Sequence, residues 1–211
     1  MASVASSIHT SSAAEKPVAE PVEGPYPVPP PAKTAGPIKA GRGTNLTGKV
    51  AVVTGAARGI GRAIAVEFAA NGADVIALDI AGPVSPTADA VPASRQELDE
   101  TVDMIHRYGR RGEAMIVDIR KIHELRKAAD HIEKTYGKID CVVANAAIQG
   151  WKPLLEMADN DWDDQIENNL TGTANTVRAF APKMVARLRT HSQKMTVAAR
   201  QMAEKKTVGH L

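Results

Sequence analysis

Residues 50–61 read Val50-Ala51-Val52-Val53-Thr54-Gly55-Ala56-Ala57-Arg58-Gly59-Ile60-Gly61. Four apolar residues in a row, without alternation, describe a strand buried on both faces. Gly55 then allows a tight turn. From Gly59 onward Ile60, Ala63, Ile64, Val66, Phe68 and Ala69 recur as on an amphipathic helix running to Asn71, and Gly72 stops it. A strand that turns straight into a helix leaves free backbone N–H groups and the positive end of the helix dipole at one point, and an anion is stabilised there. Gly59 lets backbone come close to a pyrophosphate, and Gly61 lets helix and strand pack closely.

The pattern continues on the C-terminal side. Asp74 to Leu78 is a second strand ending at Asp79, and residues 80–94, with Gly82, Pro83, Pro86 and Pro92, form a loop. Ser94 lies three residues before Glu97, a capping box that opens a helix to about Tyr108. Glu113 to Val117 is a third strand, ending at Asp118. Lys121 to Tyr136 is a helix closed by Gly137, Ile139 to Ala144 a fourth strand, and Asp161 to about Arg187 a long helix. Alternating strands and helices at this spacing require parallel strands with helices on both faces. Right-handed crossovers then leave a doubly wound, Rossmann-like sheet, with only the strands 3-2-1-4 present.

Asp79 stands 18 residues after Gly61 at the end of the second strand. A carboxylate there can accept hydrogen bonds from the ribose hydroxyls of an adenosine and would repel a 2′-phosphate, which favours NAD over NADP. Arg58 pulls weakly the other way, because a guanidinium near that pocket could accept a phosphate. A different nucleotide, such as a sugar nucleotide, remains a competing ligand on these residues alone.

The Thr54-Gly55-x-x-x-Gly59-Ile60-Gly61 spacing resembles the short-chain dehydrogenase/reductase family. Asp118-Ile119 resembles the family's Asp-hydrophobic pair, which holds the adenine. Asn145-Ala146-Ala147 resembles its Asn-Ala-Gly motif, with Ala147 in place of the glycine and extra volume toward the nicotinamide side. Trp162-Asp163-Asp164 through Asn168-Asn169-Leu170-Thr171-Gly172 resembles the next family helix and puts Asn169 on the catalytic asparagine. The resemblance covers about Leu46 to Arg187. It implies hydride transfer between NAD and a small-molecule alcohol or ketone. The implied cofactor-binding residues are Gly55, Arg58, Gly59, Ile60, Gly61, Asp79, Asp118, Ile119, Asn145, Ala146 and Ala147. The long connection from Asp79 to Arg111 is similar to that of family members with an inserted loop, among them the mycofactocin-associated dehydrogenases.

The resemblance stops after Arg187. The family continues with a strand ending in a catalytic Ser and then Tyr-x-x-x-Lys, whereas no tyrosine follows Tyr136 here and Ser192, Lys205 and Lys206 lie in no such pattern. Of the family's four catalytic groups only Asn169 is present, so little turnover is expected of this chain; a positioned acid–base group supplies roughly 10²–10⁴-fold. A premature stop or frame shift would account for the break. The alternative is a catalytically dead NAD-binding module or regulatory subunit. The fourth strand, around Val142 and Val143, would be an exposed apolar edge open to pairing, so a homo- or hetero-oligomer is open.

Composition sets the remaining bounds. The 211 residues are 44% hydrophobic and 24% charged, with one cysteine, Cys141, which excludes an internal disulfide framework or a cysteine-rich zinc module. No apolar run approaches the ~20 residues of a membrane span. Net charge is +1 over residues 1–45, −3 over 46–187 and +4 over 188–211. A slightly acidic body with seven aromatic residues argues against nucleic-acid binding. Residues 1–45 hold eight of the 13 prolines and read as a disordered or polyproline-like tail; 46–187 read as the NAD-binding domain and 188–211 as a basic tail. The Ser/Ala-rich start resembles a transit peptide only weakly and has no secretory core, so a cytoplasmic location is expected. Cys141 is expected to be buried and inert, and His123 and His131 to lie on the surface. Trp151 and Trp162 either border a substrate entrance or pack in a core or interface.

Overall fold

Strand β1, Val50–Thr54, is buried along its whole length, and its two faces feed two different cores. Val50 and Val52 point to one side with Ile76, Leu78, Leu125, Ile132 and Phe180. Ala51 and Val53 point to the other with Val75, Ala77, Ala65, Ala69, Leu98 and Ile105. The period-2 geometry of a strand makes this division. In the computed structural model, residues 45–85, 88 and 91–208 are described. The proline-rich stretch expected to be disordered lies outside them, except for its last residue.

Helix α1, Gly59–Ala70, returns the chain to β2, Asp74–Asp79. Helix α2, Arg95–His106, begins at the expected capping box: Ser94 Oγ accepts the Glu97 N–H, and Glu97 accepts the Ser94 N–H at 2.7 Å. Strand β3, Gly112–Ile116, α3, Ile122–Tyr136, and β4, Cys141–Val143, follow. All pairings are parallel and the order is β3-β2-β1-β4, as the alternation predicts. Helices α1 and α2 cover the alanine-rich face, whose small side chains let them sit close. Helix α3 and the C-terminal helix cover the other face.

After β4 the chain makes a short 3₁₀ turn, Leu154–Glu156, and enters α4, Asp159–Gln165. The expected single helix from Asp161 is interrupted. Ile166–Gly172 is a π-helical turn, after which α5 runs from Thr173 to Val208. Helix α5 therefore continues through Arg187 without a break. The side chains of Ser192, Lys205 and Lys206 lie outside the described ones. Cys141 is half-buried rather than fully buried, because β4 is an edge strand. Burial, reinforced by Asp140, still pushes its thiol above the usual cysteine range. Trp151 and Trp162 are exposed, as are His123 and His131. No described helix is long and apolar enough to cross a membrane.

Candidate cofactor site

A cleft of about 630 Å³ opens at the C-terminal ends of the strands. The connection that leaves β1 runs to β2 on one side, whereas β4, on the other side of β1, is reached from β3, and open α/β sheets bind ligands at such a switch point. The cleft gathers Gly55, Arg58, Asp79, Asp118, Ile119, Asn145, Ala146, Ala147 and Asn169, so most of the residues singled out in the sequence meet in one place. Gly59, Ile60 and Gly61 form the first turn of α1 beside it.

The glycine turn is built from two different needs. Gly55 (φ +67°) and Gly59 (φ +56°) occupy the left-handed region that favours glycine. At Gly61 the need is space: a Cβ would lie 2.0 Å from the carbonyl oxygen of Gly55. A Cβ on Gly59 would meet nothing within 4 Å, so its backbone borders open space at the helix start. The N-terminus of α1 has no side-chain cap and no acid in its first turn, unlike α2. Its unpaired N–H groups and dipole therefore remain for an external anion. This donor set fits a pyrophosphate.

Asp79 is almost fully buried at the end of β2. One carboxylate oxygen accepts the Ala57 N–H at 3.0 Å and the other the Ala81 N–H at 3.0 Å. Each oxygen keeps acceptor capacity for a hydroxyl. Arg58 turns its guanidinium to the Val91 carbonyl of the 80–94 loop, which engages the group that sequence reading sets against Asp79. Asp118, also buried, forms a forked pair with Arg120 at 2.8–3.1 Å. Burial pushes the Asp118 carboxyl up, but the Arg120 hydrogen bonds outweigh it and hold it below the usual carboxylate range. Gly172 packs against Ile119, where a Cβ would stand 2.5 Å from Cδ1.

The floor between β1 and β4 hangs on Thr54, which the sequence reading quotes in the motif but assigns no contact. Its hydroxyl accepts the N–H groups of Asn145 at 3.0 Å and Ala146 at 3.1 Å. The Asn145 side chain donates to the carbonyls of Thr54 at 3.0 Å and Gly55 at 3.3 Å. Ala147 is exposed and has no positive φ, so alanine in place of glycine adds no backbone strain. Asn169 sits in the π turn. Its Oδ1 accepts the Ile148 N–H at 2.9 Å, and its Nδ2 donates to the Ile148 carbonyl at 3.0 Å. Among the described residues no tyrosine lines the cleft. Tyr136, at the end of α3, is pushed up to about 12 by burial and by Glu113, away from the range useful for proton transfer at neutral pH. Among the described residues no group of three His, Cys, Asp or Glu could hold a metal.

Known proteins are similar to this chain over the segment that builds the sheet and the cleft. An uncharacterized NAD-dependent oxidoreductase of Mycobacterium tuberculosis is 48% identical over 145 residues, covering 68% of this chain and 52% of that protein. A short chain dehydrogenase from Mycobacterium paratuberculosis, solved bound to NAD, has 43% identity and a TM-score of 0.65 over 67% of this chain and 52% of its own. A carveol dehydrogenase from Mycobacterium avium, solved with NAD, has 39% identity and a TM-score of 0.65 over 67% and 51%. The chain thus spans about half the length of the curated relatives it matches. The family model described as short chain dehydrogenase matches residues 49–193, from the start of β1 into α5, and with that match the chain belongs to the short chain dehydrogenase family.

Proposed function

We propose that this chain supplies the dinucleotide-binding part of an NAD-dependent oxidoreductase acting on a small alcohol or ketone. The observation that carries the reading is the buried Asp79 carboxylate at the cleft wall, facing a helix start with no cap of its own. Bound NAD would supply a hydride acceptor. The N–H groups of the turn from Gly55 through Arg58, Gly59, Ile60 and Gly61 hold the pyrophosphate. Asp79 accepts the ribose hydroxyls and excludes a 2′-phosphate. Asp118 and Ile119 bound the adenine, and Asn145, Ala146 and Ala147 form the floor toward the nicotinamide. Residues 46–187 make up this domain.

Asn169 is the one member of the family's catalytic set that we assign, and it reaches the cleft from the π turn. A second reading is favoured by a specific observation: both polar ends of the Asn169 amide are taken by the Ile148 backbone, and among the described residues no tyrosine lines the cleft. On that reading these 211 residues bind NAD without turning over an alcohol. Titration of NADH and NADPH into the chain, followed by an assay with a secondary alcohol, tests both. Tight NADH and weak NADPH binding support the site. Turnover would remove the second reading, and absence of NADH binding would remove the first.

A further inference from the structure

Two carbonyl oxygens of the glycine turn, those of Ala56 and Ala57, are held by two side chains, Thr101 and Arg62. Ala56 and Ala57 are fully buried. So is Thr101, on α2, whose hydroxyl donates to the Ala56 carbonyl at 2.9 Å and lies 3.3 Å from that of Ala57. Arg62, one turn into α1, donates from Nε to the Ala57 carbonyl and to Thr101 Oγ1, both at 2.9 Å. Its Nη2 donates to the Glu97 carbonyl at 2.6 Å, so α2 in turn fixes the guanidinium. Thr101 uses its one proton toward Ala56 and a lone pair toward Arg62.

A peptide unit is planar and trans, so its C=O and N–H point in opposite directions. Holding the Ala56 carbonyl with Thr101 therefore aims the Ala57 N–H the other way, and there it meets Asp79 Oδ2 at 3.0 Å. Holding the Ala57 carbonyl with Arg62 aims the Arg58 N–H in the same manner, at the start of α1. The chain of contacts runs from Thr101 through one peptide plane to the carboxylate at the cleft.

We infer that Thr101 and Arg62 are positioning residues: from α2 and α1 they orient the 56–57 and 57–58 peptide planes, and through these set the Asp79 carboxylate and the pyrophosphate cradle. The inference rests on the NAD reading for its ligand but not for its geometry. The test uses the full chain with Thr101→Val, which removes the hydroxyl, Thr101→Ser, which keeps it, and Arg62→Lys, which loses the Nε contact to Ala57. Amide hydrogen exchange of residues 55–61 is followed without ligand, and NADH and NADPH affinities are measured by titration.

Thr101→Val and Arg62→Lys should speed exchange across residues 55–61 by about tenfold, and Thr101→Ser should restore it. NADH affinity should fall about tenfold while NADPH changes less, so the preference narrows; a general loss of stability would weaken both equally. Unchanged exchange together with an equal loss for both cofactors overturns the inference. Normal NADH binding with no exchange change in Thr101→Val overturns it while leaving the NAD reading intact. Faster exchange in Thr101→Val, reversed in Thr101→Ser, in a chain that binds no dinucleotide upholds the positioning and removes the NAD reading.

Discussion

Ala57 and Asp79 lie 22 residues apart and are joined by a hydrogen bond of 3.0 Å from the Ala57 N–H to the carboxylate. That bond ties the end of β2 to the glycine turn that leaves β1. The other Asp79 oxygen holds the Ala81 N–H, and Ala81 itself has φ +48°, a conformation that side chains other than glycine rarely adopt. One carboxylate thus fastens two turns and still faces the cleft.

Replacing it should therefore affect both affinity and preference. In Asp79→Asn the backbone contact to Ala57 can be kept by the amide oxygen, but the negative charge is gone and one acceptor becomes a donor. NADH affinity is expected to fall by about tenfold or more, since hydrogen bonds to a charged group contribute roughly 1.5–3 kcal/mol. The relative affinity for NADPH is expected to rise, because the 2′-phosphate no longer meets a carboxylate. Isothermal titration with both cofactors checks this; an unchanged ratio would place the ribose elsewhere.

Two glycines of the same turn should fail differently. Gly61→Ala drives a Cβ to 2.0 Å from the Gly55 carbonyl oxygen, and overpacking of this kind costs about 1–3 kcal/mol or more. Its thermal midpoint should drop sharply. Gly59→Ala meets no atom within 4 Å, so its cost is the left-handed backbone alone, about 1 kcal/mol. Its new methyl would stand in open space at the helix start that we propose holds the pyrophosphate. Gly59→Ala should remain folded by circular dichroism and lose NADH binding.

How much of this was legible in the sequence depends on how local the cause was. The strand order follows from strand–helix alternation, and the Ser94–Glu97 box from residues three apart. The Gly55–Gly61 turn follows from a spacing that few other structures need. The π turn at Ile166–Gly172 has no such local cause. It is anchored by Asn169 reaching back to Ile148, 21 residues earlier, and by Gly172 pressing on Ile119. Thr54 was visible only as a letter in the motif, because its role as an acceptor for two N–H groups needs β4 alongside β1. The grip of Thr101 and Arg62 on the turn likewise exists only after α2 has docked.

The docking of α5 rests on Phe180, which is fully buried among Val50, Val52, Ile132 and Ile139. Lys183 adds a surface tie to α3, at 2.8 Å from Asp130 and 2.7 Å from Glu133. Burial dominates over exposed ion pairs. Phe180→Ala should therefore cost about 3–5 kcal/mol, while Lys183→Ala should cost under about 1 kcal/mol. Urea unfolding of the two variants measures the difference. Equal losses would mean that α5 is held by its charges rather than by its apolar face.

Asp140 makes a pH-dependent contribution at the opposite end of the sheet from the cleft. Its carboxylate accepts the Val50 N–H at 2.9 Å, pairs with Lys138 at 3.1 Å and meets Arg187 of α5. Burial pushes its carboxyl up, but the Arg187 and Val50 hydrogen bonds and Lys138 outweigh this and hold it below the ordinary value. A carboxyl that titrates lower in the folded chain than its unfolded value of about 3.9 stabilises the fold fully above that pH. The contribution fades as pH falls through the folded value, where the native carboxylate takes up its proton. Asp140→Asn should cost about 1–3 kcal/mol at pH 7. Its deficit against the unaltered chain should begin to shrink below about pH 4, where the unfolded carboxyl takes up its proton, and vanish below the lower folded value, where both side chains are neutral. Urea midpoints at pH 7, 5 and 3.5 measure this, and a deficit constant across the three would mean that Asp140 acts through shape and not through charge.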